Sequence, residues 1–228
     1  MTAGLLVGVT AALAQTGPGS IVQSQAGKIW VLNEALRQGH LWRQAGWPLR
    51  IAVNVSARNL HHPGFADDVT KLLDRWGLEA SSLELEITES TVMADPMRAI
   101  EVLGSLRRLG VRVAIDDFGT GYSSLAYLQR LPVDVIKIDR SFVMNVQANH
   151  GDSIIVRSTI DLGRNLGLVV TAEGVEDART RRRLTELGCD FVQGYELCRP
   201  LPAERCAEAI RETPVLAPVT RLAGSAVL

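Results

Sequence analysis

The stretch Val111-Arg112-Val113-Ala114-Ile115-Asp116 alternates with a period of two. Val111, Val113 and Ile115 share one face, and Arg112, Ala114 and Asp116 share the other, as in a strand with two different surroundings. The pattern recurs upstream. Leu83–Ile87 sets Leu83, Leu85 and Ile87 against Glu84 and Glu86, and Leu49–Val55 sets Ile51, Val53 and Val55 against Arg50, Ala52 and Asn54. A strand buried on both sides of a doubly wound sheet reads apolar on both faces. One apolar face and one small or polar face instead fits a β/α barrel. Its helices cover the outside, and the second face lines the interior.

Downstream, Val133–Ile138, Leu168–Ala172 and Asp190–Gln193 read as further strands. Between them run helical candidates: Phe65–Trp76, Asp95–Leu109, Ser123–Arg130, Asp152–Leu166 and Asp177–Leu187. Ile29–Gln44 precedes the first strand and Ala203–Arg211 follows the last. Asp95-Pro96 places proline in a first helical turn, and Gly77, Gly110, Gly167 and Gly188 each follow a helical run. Regular alternation of this kind predicts a parallel sheet with helices packed on it. The fold class is α/β, a modified (β/α) TIM-type barrel with six recognisable strands.

The 228 residues are 46% hydrophobic, 21% charged and 5% aromatic, enough to bury a sizeable core. The net charge of −1, from 24 basic and 25 acidic residues, lacks the basic excess that a nucleic-acid polymer or an anionic membrane needs. The longest apolar run, Gly4 to Ala14, is shorter than the roughly 18 residues of a membrane span. It also lacks the basic start of a secretory signal, since the first basic residue is Lys28. Cys189, Cys198 and Cys206 are odd in number and form no C-x-x-C, so they read as thiols of a reducing compartment, the cytoplasm. The four histidines show no ligand spacing, and His61-His62 precedes the turn-forming Pro63-Gly64.

The barrel-facing parity selects Asn54, Glu86, Asp116, Lys137, Glu173 and Gln193 at successive C-terminal strand ends. All six are polar, and that rim is where β/α barrels build active sites. Glu86, Asp116, Asp117 and Glu173 would converge in one mouth, where bare carboxylates repel and some are driven to protonate. Carboxylates with one amide, and neither His nor Cys, make a hard oxygen site suited to Mg²⁺ or Mn²⁺ rather than Zn²⁺. Asp116-Asp117 is placed to bridge two ions, which together can activate water and stabilise a leaving oxygen at phosphorus. Lys137 would neutralise phosphate charge or orient the attacking water, and its carboxylate neighbours should keep it protonated. The Gly-containing loop Asp117–Ser124 follows directly, as a turn and helix cap that also shapes the site.

At these residues the chain resembles the EAL-domain family of cyclic di-GMP phosphodiesterases. The similarity lies in Asn54-Val55-Ser56, Glu86-Ile87-Thr88-Glu89, Asp116-Asp117-Phe118-Gly119-Thr120-Gly121 and Ile136-Lys137-Ile138-Asp139. It continues in Ala172-Glu173-Gly174-Val175-Glu176 and Val192-Gln193-Gly194-Tyr195, followed by Arg199-Pro200-Leu201-Pro202. The resemblance implies cleavage of cyclic di-GMP to linear pGpG with Mg²⁺ or Mn²⁺. It implies Asn54, Glu86, Asp116 and Asp117 as metal ligands and Lys137 as holder of the catalytic water. Glu173 is implied as general base or its support, and Gln193 as a residue closing the site. Glu89, with Gly119, Thr120 and Gly121, resembles the element that orders the loop, and Glu176 supports the site. The helix after the loop is similar to a homodimer contact.

The Glu-Ala-Leu motif that names the family is missing before Asn54. Glu34-Ala35-Leu36 lies in the helix ahead of that strand and is a chance likeness. The first two strands are therefore expected to be missing or replaced, with residues 1–28 an atypical segment, partly disordered or a makeshift cover. Gly4–Val9 is the one stretch able to supply a substitute strand. Residues 29–212 form the EAL-like domain and 213–228 a loose tail. Lost motif and kept site leave two functions: hydrolysis impaired by the missing Glu, or a catalytically inactive module that binds cyclic di-GMP or a protein.

Overall fold

The computed structural model describes residues 6–8, 25–121 and 125–212. Their elements run β1 (Leu6–Gly8), α1 (Gln25–Gln44), β2 (Arg50–Asn54), α2 (Ala57–Leu60), α3 (Phe65–Trp76), β3 (Leu83–Thr88), α4 (Glu89–Ala94), α5 (Pro96–Leu109) and β4 (Arg112–Phe118). The second half runs α6 (Leu125–Leu128), β5 (Val135–Ile138), α7 (Arg140–Met144), α8 (His150–Leu166), β6 (Val169–Ala172), α9 (Ala178–Leu187), β7 (Phe191–Val192) and α10 (Ala203–Glu212). The seven strands form one sheet in sequence order, every neighbouring pair parallel. Among the described residues the first and last strands do not pair with each other, so the sheet is an incomplete barrel. Among the described residues no helix is long and apolar enough to cross a membrane.

Strand register preserves the parity of the sequence. Ala52 stands opposite Glu84 and Glu84 opposite Arg112, while Asn54 is level with Glu86 and Glu86 with Ala114. The alternate residues Leu83, Leu85 and Ile87 are fully buried among the helices. At about 1.5–3 kcal/mol for each fully buried side chain, that face holds the strand in register, since a one-residue slip would exchange these residues for Glu84 and Glu86. The interior face is buried as well. Glu84 lies within a salt bridge of Arg112 at 3.3 Å, a charged layer beneath the rim that the alternation alone did not reveal.

Helix boundaries follow the caps. Asp95 accepts from Arg98 N ahead of Pro96, and Gly110 ends α5 in the left-handed region at φ 92°, accessible without a Cβ penalty. The expected helix Ser123–Arg130 is found as the short Leu125–Leu128, closed by Leu131 N donating to Tyr127 O at 3.0 Å; Ser123 and Ser124 lie outside the described residues. Helix α1 starts at Gln25, four residues earlier than its apolar pattern suggested. Within the atypical segment, Leu6–Gly8 pairs parallel with Arg50–Ala52 and becomes β1, so a substitute strand is present where a loose cover was expected. The remainder of that segment and the tail 213–228 lie outside the described residues.

Candidate active site

The sheet brings Glu86, Asp116, Lys137 and Glu173 of the expected rim together, with Asp117 beside them, while Asn54 and Gln193 stand at the ends of β2 and β7. Asp116 and Asp117 end β4, Lys137 is the third residue of β5, and Glu173 follows β6 directly, its N–H donating to Ile138 O at 3.1 Å. Gln193 follows β7, its N–H donating to Ala172 O at 2.8 Å. One carboxylate oxygen from each of Asp116, Asp117 and Glu173 falls within 4.8 Å of the others. Asn54 is exposed at the end of β2, because the three residues of β1 stop opposite Ala52.

Lys137 joins this group to Glu86. Its ammonium lies 2.7 Å from Glu86 Oε1, 2.5 Å from Glu173 Oε1 and 3.4 Å from Asp116 Oδ1. Lys137 and Glu86 are only 2% and 4% exposed, so water does little to screen the cluster. Burial works to lower the Lys137 pKa, but Glu86, Glu173 and Asp116 together outweigh it and raise it, so the side chain is a fixed cation. Burial pushes the Glu86 carboxyl up to about 7 despite Lys137. Burial also raises Glu173, with Lys137 opposing, and raises Asp117, where Asp116 adds to the effect. A single ammonium therefore offsets several crowded carboxylates, and the surplus negative charge on hard oxygen donors fits a divalent cation.

The loop after β4 is held from beneath. Glu89, 3% exposed at the start of α4, accepts the Gly119 N–H at 3.2 Å. A Cβ on Gly121 would lie 2.7 Å from Glu89 Oε1, so any larger residue there would displace this carboxylate. Asp117 has φ 52°, a left-handed conformation that Asp tolerates, and its carbonyl accepts from Thr120 Oγ1 at 2.8 Å. Glu176 is exposed and stands outside the carboxylate group.

Sequence reading passed over two features of this rim. Asp139, directly after β5, caps α7 by accepting from Ser141 N and adds its charge to the field that raises Asp117, and its place two residues after Lys137 was the available signal. Glu196, beyond Gln193, is salt-bridged to Arg181 of α9 at 2.9 Å, a pairing across 15 residues that no local pattern announces.

Residues 25–200 match the EAL domain family. The bifunctional diguanylate cyclase/cyclic di-GMP phosphodiesterase MucR of Pseudomonas aeruginosa is 47% identical over 184 residues, 79% of this chain and 27% of that protein. The chain spans about a quarter of the length of the curated relatives it matches. Among solved structures, the PaMucR phosphodiesterase in its c-di-GMP complex superposes with TM-score 0.77 at 47% identity, covering 85% of this chain and 77% of that one. The manganese/cy-diGMP complex of Klebsiella pneumoniae BlrP1 at pH 9.0 gives 0.70 at 30% identity, covering 76% and 44%.

Proposed function

The chain belongs to the EAL-domain family, and on that premise we propose that its barrel mouth binds cyclic di-GMP and, with Mg²⁺ or Mn²⁺, opens it to linear pGpG. The observation that carries this reading is the convergence of Asp116, Asp117 and Glu173 beside a buried, permanently charged Lys137. Asn54, Glu86, Asp116 and Asp117 would hold the metal, which when bound polarises the phosphodiester and supplies a nucleophile at neutral pH. Water attacks phosphorus, the P–O3′ bond breaks, and the phosphate stays on the 5′ side, as pGpG requires. Glu173, its carboxyl raised by burial, takes the proton of the attacking water, and the O3′ leaving oxygen is protonated from solvent. The Lys137 ammonium orients that water or neutralises the phosphate. Gln193 closes the mouth over substrate, while Glu89 holds the Gly119–Gly121 loop in place. The domain is assigned to residues 29–212, acting in the cytoplasm, with the helix after the loop as its homodimer contact.

A second reading is an inactive cyclic di-GMP-binding module. It is favoured by β1, whose Leu6, Val7 and Gly8 bring no carboxylate to the edge beside Asn54, so the metal has fewer protein ligands than the family motif provides. The hydrolytic reading requires a cation at Asp116. Calorimetric titration with Mn²⁺ should show binding that Asp116→Ala abolishes. Unchanged binding in that variant overturns the site.

A further inference from the structure

Resting on that reading of the mouth, we infer that Arg181 and Glu196 form a positioning pair that fixes Glu173 and Gln193 relative to each other. The two rim residues stand at the ends of adjacent strands, and Val175 links them. Val175 N donates to Gln193 O at 3.0 Å, and Glu196 N donates to Val175 O at 3.0 Å. There is no slack at this junction. A Cβ on Gly194 would lie 2.3 Å from Val175 N and 2.2 Å from Val175 O. Leu197 N and Cys198 N both donate to Gly194 O, which folds residues 194–198 into a turn.

Glu196 anchors this turn outside itself. Its Oε1 accepts from Arg181 Nε at 2.9 Å, its side chain is only 16% exposed, and its Oε2 is buried with no hydrogen-bond partner. Arg181 projects from a well-fixed helix. Asp177 caps α9 by accepting from Arg179 N and Thr180 N, each at 2.8 Å, and Leu184 is fully buried. A continuous path thus runs from α9 through Arg181, Glu196 and Val175 to the two rim residues.

The energetics give this pair a signature. Without Arg181, Glu196 would keep two buried oxygens and no donor, an uncompensated ion that costs more than the lost bond. The turn must then open to hydrate it, pulling on Val175. With both side chains trimmed no orphan charge remains, and the backbone bonds through Val175 suffice to hold the junction. Arg181→Ala should therefore be worse than Arg181→Ala/Glu196→Ala, the reverse of additive damage.

The test measures hydrogen exchange over residues 173–198 and Mn²⁺ affinity in the wild type, Arg181→Ala, Glu196→Ala and the double variant. Arg181→Ala should speed exchange at Val175 and Glu196 and, because Glu173 brings a carboxylate oxygen beside those of Asp116 and Asp117, weaken Mn²⁺ binding about tenfold, and the double variant should recover most of both. Unchanged exchange in Arg181→Ala overturns the pair's role. So does a loss of thermal stability without change in exchange or affinity, or a double variant as impaired as Arg181→Ala. A wild type that binds no Mn²⁺ while its exchange responds as described refutes the reading of the mouth and leaves the pair as a positioner of the junction.

Discussion

Replacing Lys137 with methionine removes the ammonium from among Glu86, Asp116 and Glu173 while keeping most of the side-chain volume. Its contacts at 2.7, 3.4 and 2.5 Å are lost together, in a place where Lys137 is 2% exposed. Breaking a buried ion cluster by removing one partner costs about 3–5 kcal/mol, because the stranded charges remain desolvated. That cost depends on pH with a definite sign. Burial already pushes Glu86 above the ordinary carboxyl range, up to about 7, and loss of Lys137 sends it higher. A carboxyl whose folded pKa lies above its unfolded one contributes stability below the unfolded value and loses it as pH rises through the folded value. Urea unfolding of the metal-free variant should therefore show the full deficit at pH 8, shrinking toward pH 5 as Glu86 and Glu173 take up protons. Mn²⁺ at pH 8 should restore the variant, since a cation that binds only the folded state stabilises it by mass action. A deficit of equal size at both pH values, insensitive to Mn²⁺, would refute the electrostatic reasoning and leave a packing defect.

Other perturbations probe the surroundings of the mouth. Glu89→Ala removes the acceptor of the Gly119 N–H, so hydrogen exchange at Gly119–Gly121 should accelerate and Mn²⁺ affinity fall about tenfold; an unchanged loop would show that Glu89 does not order it. Burial pushes the Cys189 thiol up to about 12, so at pH 8 it should resist a thiol-specific reagent in the native protein and react only on unfolding. Rapid native labelling of Cys189 would contradict its burial against Val170 of β6. Asn149→Ala removes the cap that accepts from Gly151 N and Asp152 N and should cost about 1 kcal/mol, read as a lower urea midpoint; an unchanged midpoint would mean the cap contributes nothing.

Most of the barrel was legible because its signal is periodic. Leu83–Ile87 and Val111–Asp116 announce two faces, and the glycines at 77, 110, 167 and 188 mark helix ends that the structure keeps. Short elements carry too few residues to show a period. Ala57–Leu60, Glu89–Ala94 and Arg140–Met144 were therefore missed, although Thr88 and Asp139 cap the latter two. Strand β1 is three residues long, and its existence depends on the open edge of β2 rather than on its own propensity. At the site, Glu86, Asp116, Lys137 and Glu173, picked out by parity, do lie together. The sequence anticipated that carboxylate neighbours keep Lys137 protonated, but not which of them the ammonium contacts, since that depends on distances across four strands. Nor could it find Arg181 with Glu196, whose contact is made by tertiary packing alone.

The most direct test of the central claim is turnover of cyclic di-GMP by the purified chain in Mn²⁺, followed by chromatographic separation of pGpG. The account predicts slow conversion to pGpG, about a hundredfold below an intact relative because a misplaced ion is poorly aligned for attack. That activity should vanish on chelation and in both Glu173→Gln and Asp116→Ala. Hydrolysis that persists in Asp116→Ala or after chelation would contradict it, as would a wild-type protein that neither converts nor binds cyclic di-GMP.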